Sequence, residues 1–116
     1  MINHTISNRY LIETYDDGTK WYRVYSDGWV EQGGYIAGGS SSNNATPITL
    51  LKPMKDNTYS VQKTYRQGAV NSGGFGWDWM SDTRAGALNT STTVYLSVPG
   101  SGFCVGVNWE VKGKGA

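Results

Sequence analysis

Residues 20–34 read KWYRVYSDGWVEQGG and decide the fold class of this chain. Runs rich in aromatic and β-branched residues stand on both sides of Asp27-Gly28, and Asp-Gly supplies the positive φ angles that two-residue hairpins need. Upstream, YLIETY at 10–15 leads into a similar turn, DDGT at 16–19. The sequence therefore predicts a β-meander of three strands joined by two tight turns, the second of them the two-residue turn Asp27-Gly28.

The middle of the chain continues in short strand-like runs. TPITLLKP at 46–53 is a short strand with a proline near each end, where a missing N–H costs least. YSVQKTYR at 59–66 alternates so that Ser, Gln, Thr and Arg share one face, which we expect to be exposed to solvent. TTVYLSV at 92–98 predicts a further strand, and the second half of 68–79 could form another.

The last strand has the clearest alternation of the chain. Its apolar set is Phe103, Val105, Val107, Trp109 and Val111, and polar or small residues stand between them. A period of two over this length predicts a strand with one face in the core. No window shows helical periodicity over three turns. We expect an all-β fold, a small antiparallel β-sandwich or barrel of about seven or eight strands, formed by residues 10–116 after a lead-in segment at 1–9.

Composition and charge argue against several classes of partner. The chain has 10 basic and 9 acidic residues, scattered singly, and a net charge of +1. It therefore lacks the basic stripe typical of nucleic-acid binding or of a membrane surface, and no run is long enough for a membrane span. Cys104 is the only cysteine, so we expect neither an intrachain disulfide nor a structural zinc site.

Candidate catalytic residues are equally sparse. His4 is the only histidine and lies in the lead-in segment, outside the expected core. The aspartates stand in turn-like contexts beside Gly or Asn, where their side chains bond nearby backbone. The glutamates lie in strands, and the sequence alone brings no two of them together as a glycosidase pair. We expect a binding protein without a cofactor or metal ion rather than an enzyme.

Large side chains fall on both faces of the second and third strands. Trp21 and Tyr25 alternate with Tyr22 and Val24, and Trp29 and Tyr35 alternate with Val30 and Ile36. Covering both faces of so small a domain is easier if subunits pack together, and association also protects sheet edges. This pattern favours an oligomer.

Two loops are candidate ligand sites. In GGFGWDW at 73–79, glycine permits close approach, the rings of Phe75, Trp77 and Trp79 can stack on sugars, and Asp78 can accept hydroxyl hydrogen bonds. The alternative is that these three rings form one inward-facing stripe of a strand. The polar loop AGGSSSNNA at 37–45 either completes a glycan site, through Ser41, Asn43 and Asn44, or simply faces solvent.

WYRVYSDGWVEQGG at 21–34, together with FCVGVNWEVKG at 103–113, resembles the C-terminal domain of bacteriophage tail fibres and tail-tip receptor-binding proteins. Val111 stands where alanine is frequent in that family, and residues 68–101 match none of its motifs. The resemblance implies a homotrimeric knob at the distal end of a virion fibre, assembled in the host cytoplasm. Its loops would contact host polysaccharide, lipopolysaccharide or an outer-membrane protein.

The shared motif itself is interpreted as structural. Asp27 and Gly28 make a hairpin turn, Gly33 and Gly34 permit a bulge or close packing, and the rings are core or interface residues. Those rings are Trp21, Tyr22, Tyr25, Trp29 and Trp109. Two other functions stay open, a carbohydrate-binding module attached to a hydrolase and a purely structural trimerisation domain.

Overall fold

The computed structural model describes residues 9–37, 46–67, 88–96 and 104–116, without the side chains of Tyr65, Gln67, Cys104 and Val105. These ranges contain seven strands and no helix. The strands are β1 (Leu11–Asp16), β2 (Lys20–Tyr25), β3 (Trp29–Ala37), β4 (Thr46–Thr49), β5 (Ser60–Gln67), β6 (Thr93–Leu96) and β7 (Cys104–Lys114). Within these ranges there is also no helix long and apolar enough to cross a membrane.

The strands form two antiparallel sheets. One has five strands in the order β1-β2-β3-β7-β5, and the other consists of β4 and β6. This arrangement confirms the expected all-β class and strand number. The central position of β7, between β3 and β5, explains why its sequence alternates more cleanly than any other.

The two hairpin turns lie where the sequence predicts them, but the turn at Asp27-Gly28 is longer than two residues. Three residues separate β1 from β2, and three separate β2 from β3. A two-residue type I′ turn requires positive φ at Asp as well as at Gly. Here Gly18 and Gly28 have φ of 93° and 89°, and no other described residue has positive φ. The expectation of a two-residue turn at Asp27-Gly28 was therefore wrong, because in each loop glycine alone adopts the left-handed conformation.

The predicted strand at 46–53 ends earlier than expected. β4 stops at Thr49, and Leu50 turns inward to become buried in the core. Pro47 is tolerated inside β4 because that strand pairs only with β6 and so has a free edge within the described part of the sheet.

The hydrophobic core lies between one face of the five-stranded sheet, here called the core face, and the two-stranded sheet. β3 and β7 contribute buried side chains from the core face, and β4, β6 and the segment after β4 cover them. The cluster consists of Val30, Ile48, Leu50, Met54, Val94, Leu96, Trp109 and Val111. The prediction that β7 supplies the core is confirmed for Val107, Trp109 and Val111, whereas Phe103 and the Val105 side chain lie outside the description.

Among the described residues, one polar side chain is buried in this core. Gln32 is 1% exposed, and its amide donates to the Lys52 carbonyl at 2.7 Å and to Sδ of Met54 at 3.2 Å. Its Oε1 accepts the Lys52 N–H at 3.1 Å. The glutamine thereby satisfies the backbone of a non-strand segment and ties that segment to β3.

Gly33 and Gly34 permit close packing rather than a bulge. β3 pairs with β2 and β7 without a register shift at these positions. A β-carbon at either residue would collide with a backbone carbonyl, that of Trp109 for Gly33 and that of Thr19 for Gly34. Glycine is therefore required here by the approach of neighbouring chain segments.

Candidate functional site

The second face of the five-stranded sheet, here called the outer face, is not covered by the two-stranded sheet. Its side chains alternate with those of the core face, and each is half-buried or exposed. Successive rows across it can be read from the strand register. One such row consists of Asp16, Trp21, Gly33, Glu110 and Gln62.

A groove of about 760 Å³ lies on this outer face. Its volume falls within the range usual for small-molecule and sugar sites. Outer-face side chains of the five strands form most of its wall, and residues of the β1–β2 turn also contribute to it. The described lining residues are Asp16, Gly18, Thr19, Trp21, Gly34, Tyr35, Gln62, Lys63, Thr64, Arg66, Asn108, Trp109 and Glu110.

The Trp21 indole forms an apolar wall of the groove, and its position depends on Gly33. A β-carbon at Gly33 would lie 2.9 Å from Cζ2 of Trp21, so the ring rests on the glycine backbone of the adjacent strand. The Arg23 guanidinium lies 4.5 Å from the ring centroid, at cation–π distance. Gly33 against the indole and the Arg23 guanidinium over the ring therefore fix the indole on the sheet.

A second aromatic residue, Tyr35, is placed in the same way at another part of the groove. A β-carbon at Gly106 would lie 2.7 Å from its Oη, so this ring also covers a glycine of the neighbouring strand. The Arg66 guanidinium stacks 3.8 Å from the ring centroid, and its Nη2 donates to Oδ1 of Asn108 at 2.8 Å. Ring, guanidinium and amide thus form one ordered cluster.

Two carboxylates of the described residues line the groove, but they are far apart. Asp16 and Glu110 belong to the same row, with Trp21 and Gly33 between them. Three strand spacings place their α-carbons about 14 Å apart. A glycosidase pair has its carboxyl groups roughly 5 to 9 Å apart. The groove therefore offers this pair as hydrogen-bond acceptors rather than as an acid and a base.

A separate cluster of charges and rings occupies the outer face near the β2–β3 turn. Arg9 pairs with Asp27 at 2.7 Å and lies 5.6 Å and 5.4 Å from the Tyr25 and Trp29 ring centroids. Glu31 accepts hydrogen bonds from both rings. The N–H of Trp29, and then Arg9, lower the pKa of Asp27 below its usual value. These groups bind one another, and they attach the end of the lead-in segment to the sheet.

A third cluster lies beside the core face at the β1 edge. The Tyr22 hydroxyl donates to Glu13 at 2.5 Å, Lys52 lies 3.3 Å from the same carboxylate, and Tyr15 stacks on Tyr22. The hydrogen bond from Tyr22 and the neighbouring Lys52 lower the pKa of Glu13. This cluster holds β1 against the segment after β4, and its charges already have partners.

The predicted site residues divide between these regions. Phe75, Trp77, Asp78, Trp79, Ser41, Asn43, Asn44 and His4 lie outside the described residues. Of the residues interpreted as structural, Trp109 is 3% exposed in the core and Tyr22 lies on the core face. Trp21 lines the groove, whereas Tyr25 and Trp29 belong to the Arg9 cluster.

Sequence reasoning did not single out most of the groove residues. Gln62, Thr64 and Arg66 were read only as the wet face of a strand, and Asn108 and Glu110 only as the polar alternates of β7. The missing signal was that these two polar faces are adjacent, which requires the pairing of β5 with β7. Among the side chains that the structure describes, no three or more His, Cys, Asp or Glu residues cluster as metal ligands would.

Comparisons of the chain with protein-family models, with curated proteins and with solved structures gave no match.

Proposed function

We propose that this protein is a receptor-binding tip domain of a bacteriophage tail fibre and that it binds a host surface glycan in the outer-face groove. The observation that carries the proposal is the groove itself, which combines two fixed aromatic rings with hydrogen-bonding side chains on a sheet face that the two-stranded sheet does not cover. The resemblance of residues 21–34 and 103–113 to tail-fibre tips supports the biological setting.

The lining suits a sugar ligand. Sugars present apolar C–H faces and many hydroxyl groups, and aromatic rings with nearby polar side chains complement both. Trp21 supplies the apolar surface, and Gln62, Thr64 and Asn108 supply donors and acceptors. Because these side chains stand on paired strands, binding requires little reordering of the backbone.

Three copies in a fibre tip would strengthen weak individual contacts. Linked sites raise the apparent affinity by orders of magnitude without any new contact. The exposed apolar residues of the β1 end are the support for a subunit contact, since Tyr10 is 66% exposed, Leu11 46% and Ile12 57%. We place the trimer contact there, which leaves the groove open.

The test is binding of the fluorescently labelled chain to a panel of bacterial strains and to immobilised glycans. Trp21→Ala and Asn108→Ala should each lower binding at least tenfold, whereas Ser60→Ala, an outer-face change beyond the groove, should not. Asn108 is exposed, so its variant tests the groove even if loss of Trp21 disturbs folding. Trp77→Ala and Trp79→Ala test the loop prediction in the same assay. Binding that only the loop variants reduce would overturn the groove, and wild-type binding to no strain and no glycan would overturn the function.

A carbohydrate-binding module of a hydrolase is the second candidate, because aromatic rings beside hydrogen-bonding side chains suit a glycan in that setting as well. A module of this kind would bind glycan as a stable monomer. A trimeric mass in light scattering at micromolar concentration would favour the fibre tip instead.

A further inference from the structure

We propose that the groove selects acidic glycans, with Arg66 binding a sugar carboxylate at one end. This inference rests on the proposed glycan-binding function and names the class of ligand. The observation that carries it is the cluster of Tyr35, Arg66 and Asn108, here called the Arg66 cluster. Arg66 differs from the other two described arginines in its geometry and in its ion pairing.

Arg66 differs from the other described arginines because it has no carboxylate partner among the described residues. Arg9 pairs with Asp27 and Arg23 with Glu31, but no carboxylate of the described residues lies within ion-pair distance of Arg66. Its side chain is nevertheless held in place, stacked on Tyr35 and bonded to Asn108. A fixed guanidinium that has no anionic partner among the described residues is prepared to receive one.

The chemistry of this guanidinium fits a carboxylate. Arginine carries five N–H donors in a planar fork, and the bond to Asn108 uses only Nη2. The remaining donors match the two oxygens of a carboxylate in a bidentate pair, which is stronger and more directional than a neutral hydrogen bond. Stacking on the Tyr35 ring fixes the plane in which that carboxylate must lie.

The rest of the groove fixes the direction of the ligand. Arg66 stands four residues along β5 from Gln62, whose row contains Glu110 and Asp16. Four residues of strand span about 13 Å, a length filled by roughly two or three pyranose rings. An acidic sugar is attracted at the Arg66 end, whereas the two carboxylates at the other end accept hydrogen bonds from neutral hydroxyl groups. The separation exceeds a Debye length of about 8 Å at physiological salt, so each end acts separately.

The first experiment presents the full chain with four kinds of immobilised glycan: neutral, uronic-acid-containing, sialylated and phosphorylated. We expect the bound glycans to be uronic-acid-containing or sialylated, because both carry a carboxylate. Binding only to neutral or phosphorylated glycans would overturn this inference and leave the proposed function standing. Binding to none would overturn both.

The second experiment takes the best-bound acidic oligosaccharide and the same oligosaccharide after reduction of its carboxyl groups to alcohols. Wild type should bind the reduced form at least tenfold more weakly. Arg66→Gln should bind the acidic form at least tenfold more weakly and lose the preference, so that its two affinities agree within about twofold. Arg66→Lys, which keeps the charge but not the fork, should fall between.

Lys55→Gln removes one exposed positive charge far from the groove lining and serves as the matched control. It should keep the wild-type preference for the acidic form. Equal loss of preference in Lys55→Gln and Arg66→Gln would show a general effect of charge and contradict a specific site. A preference retained in Arg66→Gln would likewise exclude Arg66 as the carboxylate ligand. Because Arg66 is exposed on an edge strand of the described sheet, we expect its variants to fold, and circular dichroism checks this.

Discussion

The indole of Trp21 rests on Gly33, its direct partner in the adjacent strand. The same glycine also approaches the Trp109 carbonyl of β7. Gly33 therefore has a role on both sides of β3. It lets β3 and β7 pair closely, and it positions the Trp21 ring that forms the groove wall. Tyr35 over Gly106 repeats this relationship. Aromatic side chains that cover glycines of neighbouring strands are a known means of stabilising a sheet.

Replacing Gly33 should therefore damage both stability and binding. Gly33→Ala places a β-carbon against the Trp109 carbonyl and 2.9 Å from the indole, so we expect a loss of about 1–3 kcal/mol in the free energy of unfolding. Denaturant unfolding measures it. Adding Trp21→Ala should not restore stability, because the carbonyl oxygen is the nearer atom and cannot move away like a side chain. A Gly33→Ala variant as stable as wild type would contradict the close packing.

Gln32 should be the most sensitive polar residue of the described core. Gln32→Ala leaves the Lys52 N–H and carbonyl without the partners that they have in the structure. We expect a destabilisation of about 2–4 kcal/mol, since each partly buried unpaired group is costly. Gln62→Ala, at an exposed position of β5, is the matched control and should change the free energy of unfolding by less than about 0.5 kcal/mol. Similar values for the two variants would refute the structural role of Gln32.

Tyr59 should make the fold sensitive to high pH. Its partial burial raises the pKa of the phenol to about 12, and the hydroxyl donates to the Thr90 carbonyl at 2.8 Å. The Tyr59 phenol has its ordinary pKa of 10.0 in the unfolded chain. As the pH rises, it therefore stays protonated in the folded state after the unfolded chain has lost this proton. Stability is fully present below pH 10 and is lost as the pH rises toward 12. Urea unfolding should show this decline, and Tyr59→Phe should reduce it, whereas the exposed Tyr10→Phe should not.

The sequence predicts those features of the fold and the groove that depend on residues close together in the chain. It does not predict those that depend on the pairing of distant strands. The strands around Trp21 and Trp109 were predictable because alternation and turn residues are local signals. The three-residue length of the turn at Asp27-Gly28 was missed because Asp-Gly fits both a type I′ turn and a type I turn followed by glycine. The groove was missed for another reason. Arg66 and Asn108 become neighbours only through the pairing of β5 with β7, and nothing local specifies that pairing.

Asp17 should make the fold sensitive to acid, as Tyr59 should make it sensitive to high pH. The backbone N–H groups of Lys20 and Thr19 donate to its Oδ1 in the β1–β2 turn and hold the pKa of this carboxyl well below its ordinary value of 3.8. Its contribution is present above about pH 4 and is lost as the pH falls through the lowered pKa. Asp17→Asn keeps an acceptor but not the charge. The stability difference between wild type and Asp17→Asn should therefore be largest above pH 4 and shrink toward pH 2. A difference independent of pH would contradict this role.

The β1 end should decide the oligomeric state. β1 is an edge of the five-stranded sheet as described, and it carries Leu11 and Ile12 at 46% and 57% exposure. Exposed apolar side chains on an edge strand are a template for association, which a natural protein blocks with charge or covers with a partner. We therefore expect a trimer at micromolar concentration by light scattering and a shift toward monomer in the double variant Leu11→Ser, Ile12→Ser. Leu88→Ser is the control, because Leu88 is more exposed, at 76%, but lies outside the edge strand. Monomeric wild type would refute the trimer, and a trimer that survives the double variant would move the contact away from β1.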